Sequence, residues 1–320
     1  MKTTRFVVVG ALCAWILWAA QALTSTATAT AADAFTGTWT VMPSEQAGKV
    51  QFGLAYRRGE QHHSNHSSDW LVEAFQGLDL AARGKRDVQF TITRDAGRFD
   101  CEGYLNNGVG AGVFLFTPDA SFSKGMAALG FTGIDENMQY AMATVDVTLE
   151  FAKQMKSSKL DGLDTDKLIA LRIFGVTPKY IDDMRAQGLP MSETDKVIAF
   201  RVHGVSVTSV KEYKELGIQP DEDQLIALHV HGAKPEWVRK MRASGYGLET
   251  DKLIAFRVHN VTPEYIEKVK AMGYANPDAD DLIAMRVHNI TPEYIGKLKN
   301  RGLKDLTIDK LVSLRVHGVE

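Results

Sequence analysis

Apolar and polar positions fall into one phrase that occurs six times in the second half of the chain. It reads Leu253-Ile254-Ala255-Phe256-Arg257-Val258-His259-Asn260-Val261-Thr262-Pro263-Glu264-Tyr265-Ile266, and the copies begin at Leu168, Val197, Leu225, Leu253, Leu282 and Leu311. Successive starts are 29, 28, 28, 29 and 29 residues apart, a fixed period that belongs to stacked-repeat architectures. Each copy opens on an acidic or Thr-Asp-Lys stretch (Thr165-Asp166-Lys167, Thr194-Asp195-Lys196, Thr250-Asp251-Lys252), suited to cap a first helix A, for example over 166–174. Gly175, Gly204, Gly232 and Gly318, or Asn260 and Asn289, then end it in the left-handed cap.

Helix B follows directly. Thr177, Thr262 and Thr291 are its N-caps, with Pro178, Pro263 and Pro292 at the first helical position. A hydrophobic staple joins the residue before the cap to one in the first turn: Val176 with Ile181, Val205 with Val210, Ala233 with Val238, Val261 with Ile266, Ile290 with Ile295. Helix A is less decided, because Ile254, Phe256 and Val258 also alternate as a strand would. The apolar, nearly all-round stretch 253–258 fits a helix wedged between neighbours; a strand-helix solenoid is the alternative.

The pattern continues upstream in worn form. One period before Leu168, residues 140–151 follow the pattern of 169–180, and residues 119–131 overlay helix B. The array therefore reads as half a repeat, six repeats and another half, with degenerate repeats over 118–160 as a cap and the array proper over 161–320.

Residues 35–117 carry a different period. Strand-like segments at 38–42, 50–56, 88–93, 99–104 and 113–116 are rich in β-branched and aromatic residues, and Val88, Phe90 and Ile92 alternate with Gln89, Thr91 and Thr93. Asp95-Ala96-Gly97 and Asn106-Asn107-Gly108 read as hairpin turns. A small antiparallel sheet or partly open barrel of five or six strands is expected, so the fold class is α+β: a β domain followed by an α-solenoid of two-helix repeats.

Composition adds the compartment. Residues 1–31 read as a signal peptide: Lys2 and Arg5, an apolar run over 6–20, then small residues. Cleavage and export to the periplasm or beyond is the expectation, with no stable membrane insertion afterwards; retention as an anchor is the alternative. Cleavage would leave Cys101 as the sole thiol, hence no internal disulfide. Residues 161–320 hold 23 Lys and Arg against 24 Asp and Glu, no electrostatic footprint for nucleic acid. The helix-Gly-Val-Thr-Pro-helix pattern resembles the helix-hairpin-helix DNA element but lacks its second glycine.

Candidate chemistry is sparse. His62, His63 and His66 sit in the polar stretch 59–69, read as a solvated loop, where imidazoles could hold zinc or copper with Asp69. A histidine column (His203, His231, His259, His288, His317) lies one repeat apart, too far to share an ion, and suits helix C-termini. An arginine column (Arg172, Arg201, Arg257, Arg286, Arg315, with His229 in place) reads as a ladder to acidic residues of adjacent units or as a site for an acidic partner. The aromatic column, Tyr180, Trp237, Tyr265 and Tyr294, broken by Ser209, reads as inter-repeat core or as a peptide-binding stripe. Partner contacts are therefore assigned to Tyr180, Trp237, Tyr265, Tyr294, Arg257 and Arg286.

Gly37-Thr38-Trp39 resembles the Gly-x-Trp opening of lipocalins, although 80 or so residues are short for eight strands. The repeat phrase resembles repeats in exported bacterial helical-repeat proteins, also found attached to membrane metallopeptidases of the β-lactam-sensor type. The resemblance covers the array and implies an exported module; no His-Glu-x-x-His is present, so it does not imply the peptidase. The functions that stay open are a non-catalytic protein or peptide interaction module without a cofactor, acting in envelope sensing; a metal- or small-ligand-binding β domain; an accessory component of a membrane sensor peptidase system; or a hydrolase joining distant residues such as His62, Asp69 and Glu102.

Overall fold

A computed structural model describes residues 35–58, 62–81 and 83–319; the signal-like segment lies outside them. The chain divides into two compact units between Asp119 and Ala120.

In the first unit, alternation produces strands β1 (Phe35–Pro43), β2 (Lys49–Arg58), β3 (His62–Leu71), β4 (Lys85–Arg94), β5 (Gly97–Asn106) and β6 (Val109–Pro118). They form one antiparallel sheet in the order β3-β2-β1-β6-β5-β4. Two three-stranded meanders are thus joined through β1 and β6. The stretch read as a solvated loop is, from His62 onward, strand β3 paired with β2. An edge strand satisfies one side in water, so it carries polar residues that hide it from a hydrophobic pattern.

The sheet is strongly curled. β2 and β4 stand four places apart in the sheet, about 19 Å if it were flat, yet the rings of Phe52 and Phe90 lie 6.3 Å apart. Gln76, in the connection after β3, exchanges two backbone hydrogen bonds with Thr91 of β4, and the Arg94 guanidinium lies 4.7 Å over Trp70 of β3. Trp39 is fully buried at the centre, its indole N–H donating to the Glu102 carbonyl at 3.0 Å. A Cβ at Gly103 would stand 2.8 Å from the Trp39 ring, so that position is reserved for glycine. With six strands and a tryptophan-filled interior, this is a packed, partly open barrel.

The second unit contains fourteen helices among the described residues. Helix A spans Glu136–Thr144, Thr165–Ile173, Thr194–Val202, Glu222–Val230, Thr250–Val258, Ala279–Val287 and Ile308–Val316. Helix B spans Ala120–Ala128, Leu149–Ser157, Pro178–Arg185, Val207–Glu215, Pro235–Ala243, Pro263–Ala271 and Pro292–Asn300. Both elements are helical throughout, which decides against a strand-helix solenoid.

Caps explain the boundaries. Thr177, Thr262 and Thr291 accept the amides of Tyr180, Tyr265 and Tyr294. At helix A the cap lies one residue earlier than the Thr-Asp-Lys pattern suggested: Asp164 caps Lys167, and Thr165 is already helical. Thr194 is buried and donates its hydroxyl to the Asp161 carbonyl instead. Each A helix ends in a Schellman turn, as when the amides of Asn260 and Val261 bond the carbonyls of Arg257 and Phe256. Asn260 and Asn289 have φ of 54° and 51°, in the left-handed region. Every staple residue named above is buried.

Candidate functional site

The arginine and aromatic columns form an internal ladder. The Nε atoms of Arg201, Arg257 and Arg286 donate to the carbonyls of Phe174, His231 and His259 at 2.9, 3.0 and 3.1 Å. Those carbonyls end the preceding A helix, where a cation complements the dipole. The same guanidiniums lie over Tyr180, Trp237 and Tyr265 at 5.0, 5.1 and 4.8 Å, and Arg315 lies over Tyr294 at 4.8 Å. In the other direction the hydroxyls of Tyr180, Tyr265 and Tyr294 donate to the carbonyls of Val205, Ile290 and Val319 in the next repeat at 2.8, 2.8 and 3.0 Å. Burial pushes the phenols of Tyr180 and Tyr265 up to about 12. These side chains tie one repeat to the next; the expected acidic partner occurs in this column at Arg172, which meets Asp146 at 2.8 Å.

Two further ladders run beside it. Lys214, Lys270 and Lys299 donate to the carbonyls of Gln187, Ser244 and Met272 at 2.6, 3.1 and 2.6 Å, joining successive B helices. Lys167 meets Asp195 at 2.9 Å, Lys196 meets Asp223 at 3.2 Å, and Lys252 meets Asp280, joining successive A helices at their starts. Asp281 breaks this last series by replacing the lysine. Its carboxyl is pushed up by burial and then by Asp278, Asp309 and Asp280.

One repeat solves the tie differently. With Ser209 in the aromatic position, Tyr213 one turn later donates to Ala233 at 2.9 Å. His229, in the arginine position, sets Nδ1 3.2 Å from the His203 carbonyl and packs edge-on to Tyr213 at 6.1 Å. Its Nε2 is buried without a hydrogen-bond partner. Burial, and next the charges of Lys234 and His203, lower its pKa against the opposing effect of that carbonyl. The histidine column itself caps helix A: His203, His259 and His288 are C-cap residues.

In the β domain, His66 pairs with Leu54 in the β2–β3 register and places Nε2 3.0 Å from the Ser68 hydroxyl; burial lowers its pKa. The side chains of His62 and His63 lie outside the described residues. Among those described, no group of three or more His, Cys, Asp or Glu side chains converges as a metal set. Cys101 is buried, and burial with the nearby Asp100 charge pushes its thiol up, the opposite of an activated nucleophile. A groove of about 760 Å³ on the outward sheet face is lined by residues including Thr38, Gln89, Glu102, Val113 and Leu115.

The most distinctive surface lies on the A helices, whose nearly all-round apolar stretch, as at 253–258, predicts an interior position. From Thr165 on, each A helix packs against the next, but one side stays open. Ile173, Val202, Val230, Val258, Val287 and Val316 are 48 to 60% exposed. Three and four positions before each of the first five stand half-buried Ala and Ile, as in Ile254-Ala255 before Val258. Seven positions before each, on the same helix face, is an exposed aspartate: Asp166, Asp195, Asp223, Asp251, Asp280 and Asp309. Ile, Ala and Val at i, i+1 and i+4, as at Ile254, Ala255 and Val258, share one helix face and were legible in the phrase as a second apolar stripe; it was masked because the buried stripe shares the same short helix. Among the described residues no helix is long and apolar enough to cross a membrane. Compared with family models, curated proteins and solved structures, the chain matches none of them.

Proposed function

We propose that this chain is an exported, non-catalytic interaction module whose array binds a protein or peptide along the open side of its A helices. The observation that supports this reading is the row of β-branched apolar residues, Ile173 to Val316, exposed at the same place in six consecutive repeats. A residue exposed once is ordinary; the same apolar exposure in register across an array is a continuous surface of the kind that marks an interaction site. The Arg, Tyr and Lys columns, by contrast, are occupied in holding the stack. Export rests on the signal-like start, and a role beside a membrane sensor peptidase rests on the resemblance of the repeats.

The test is a photo-crosslinking residue placed at Val258, and in a second protein at Lys268 on helix B, in the producing cell. A discrete adduct from position 258 and none from 268 is expected. Adducts from 268 alone, or none from either, would overturn the reading.

A further inference from the structure

Resting on that reading, we infer that the partner is an amphipathic α-helix that lies along the A row and presents one heptad to each repeat. Packed helices stand about 8–10 Å apart, and seven residues of an α-helix rise about 10.5 Å. A helical partner laid across the row therefore returns the same face to the Ile-Ala-Val ridge at every repeat, as from Val230 to Val258 to Val287. An extended strand advances about three residues over that distance. Three is odd, so its apolar side chains would meet the ridge only at alternate repeats, although the ridge is apolar at all of them.

The two borders of the ridge differ in charge. At the helix starts runs the row of exposed aspartates, half matched by the lysines of the preceding repeat. At the helix ends run Arg172, Arg201, Arg257, Arg286 and Arg315 with the capping histidines, and behind them Glu236, Glu264 and Glu293 open the last three B helices. The partner helix carries basic residues on the flank over the aspartates and acidic residues on the flank over the guanidiniums, which keep their positive charge although their Nε–H groups hold the stack. Because reversing the helix exchanges its flanks, binding is in one direction only.

The probe is a labelled synthetic helix of about four heptads, with Ile at a, Ala at d, Lys on one flank and Glu on the other, titrated with the full chain by fluorescence anisotropy. A control has the same composition with the heptad period scrambled. The heptad peptide is expected to bind at least about tenfold more tightly than the control. Val230→Glu with Val258→Glu and Val287→Glu should remove that advantage while leaving the melting temperature in place. Equal binding of the two peptides, or none by either, overturns the inference, as does sedimentation showing that the chain dimerises through this face. Should crosslinking at Val258 succeed while the heptad peptide fails, the interaction module stands and its helical partner falls.

Discussion

In the β domain the Trp39 indole meets the carbonyl of Glu102, 63 residues away, and Phe52 meets Phe90 across the curl of the sheet. In the array, Arg201 reaches Phe174 over 27 residues and Tyr265 reaches Ile290 over 25, and the same ties recur along it, the first at Arg257 and Arg286 and the second at Tyr294. The first network is unique and non-local, so one side chain can hold several strands. The second is a chain of nearest neighbours, so damage stays near its source. The surfaces divide in the same way: the β domain exposes apolar side chains at unrelated positions, such as Met42, Leu71 and Val113, whereas the array exposes one at the same place in each of six repeats.

Trp39→Ala breaks the comparison at its strongest point. Removing a fully buried Trp should cost about 3–5 kcal/mol, abolishing the near-ultraviolet signal of the β domain while the helical far-ultraviolet signal persists. Ile266→Ala, also fully buried, should cost about 2–4 kcal/mol. Hydrogen exchange should show lost protection in its own repeat and the two beside it, and little in the others. Tyr265→Phe removes one inter-repeat bond and should cost about 1 kcal/mol, read from denaturant midpoints. A ten-degree fall in melting temperature would show that the ladders carry more than nearest-neighbour weight.

The smallest stability effect is a pH dependence. Burial holds the His229 pKa below its ordinary value of 6.5, so the folded state binds fewer protons than the unfolded one. Stability is then complete above that ordinary value, declines as pH falls through it, and levels off once pH passes below the folded value. His229→Gln should flatten this decline, leaving the same-signed contribution of His66, also lowered by burial. An unchanged pH profile would place the titration elsewhere.

What was legible in the sequence follows the same contrast. Helix boundaries, staples and caps in the array are local, and six copies of Gly or Asn and of Thr-Pro made them readable. The ties that span a repeat were legible only in part: the arginine column reads as a ladder, but to acidic residues, whereas Arg257 bonds the carbonyl that ends the preceding helix, and Lys270 looks like a solvated charge until that helix end is known. Strand β3 was missed since Ser64, Asn65 and Ser67 resemble a loop and pairing with β2 is what makes them a strand. The exposed ridge was hidden for a related reason: Ile254 and Val258 look like core until it is known that the neighbours cover two sides of the helix and leave the third open.

The central claim separates residues that hold the stack from residues that face a partner, and one protein tests both halves. Val230→Glu, Val258→Glu and Val287→Glu together replace exposed side chains, so the cost to stability should stay within about 0.5 kcal/mol per site. With the photo-crosslinker moved to Val202, the adduct seen in the otherwise unaltered chain should disappear from the triple variant, whose melting temperature is retained. An adduct of undiminished yield from that folded variant would contradict the account.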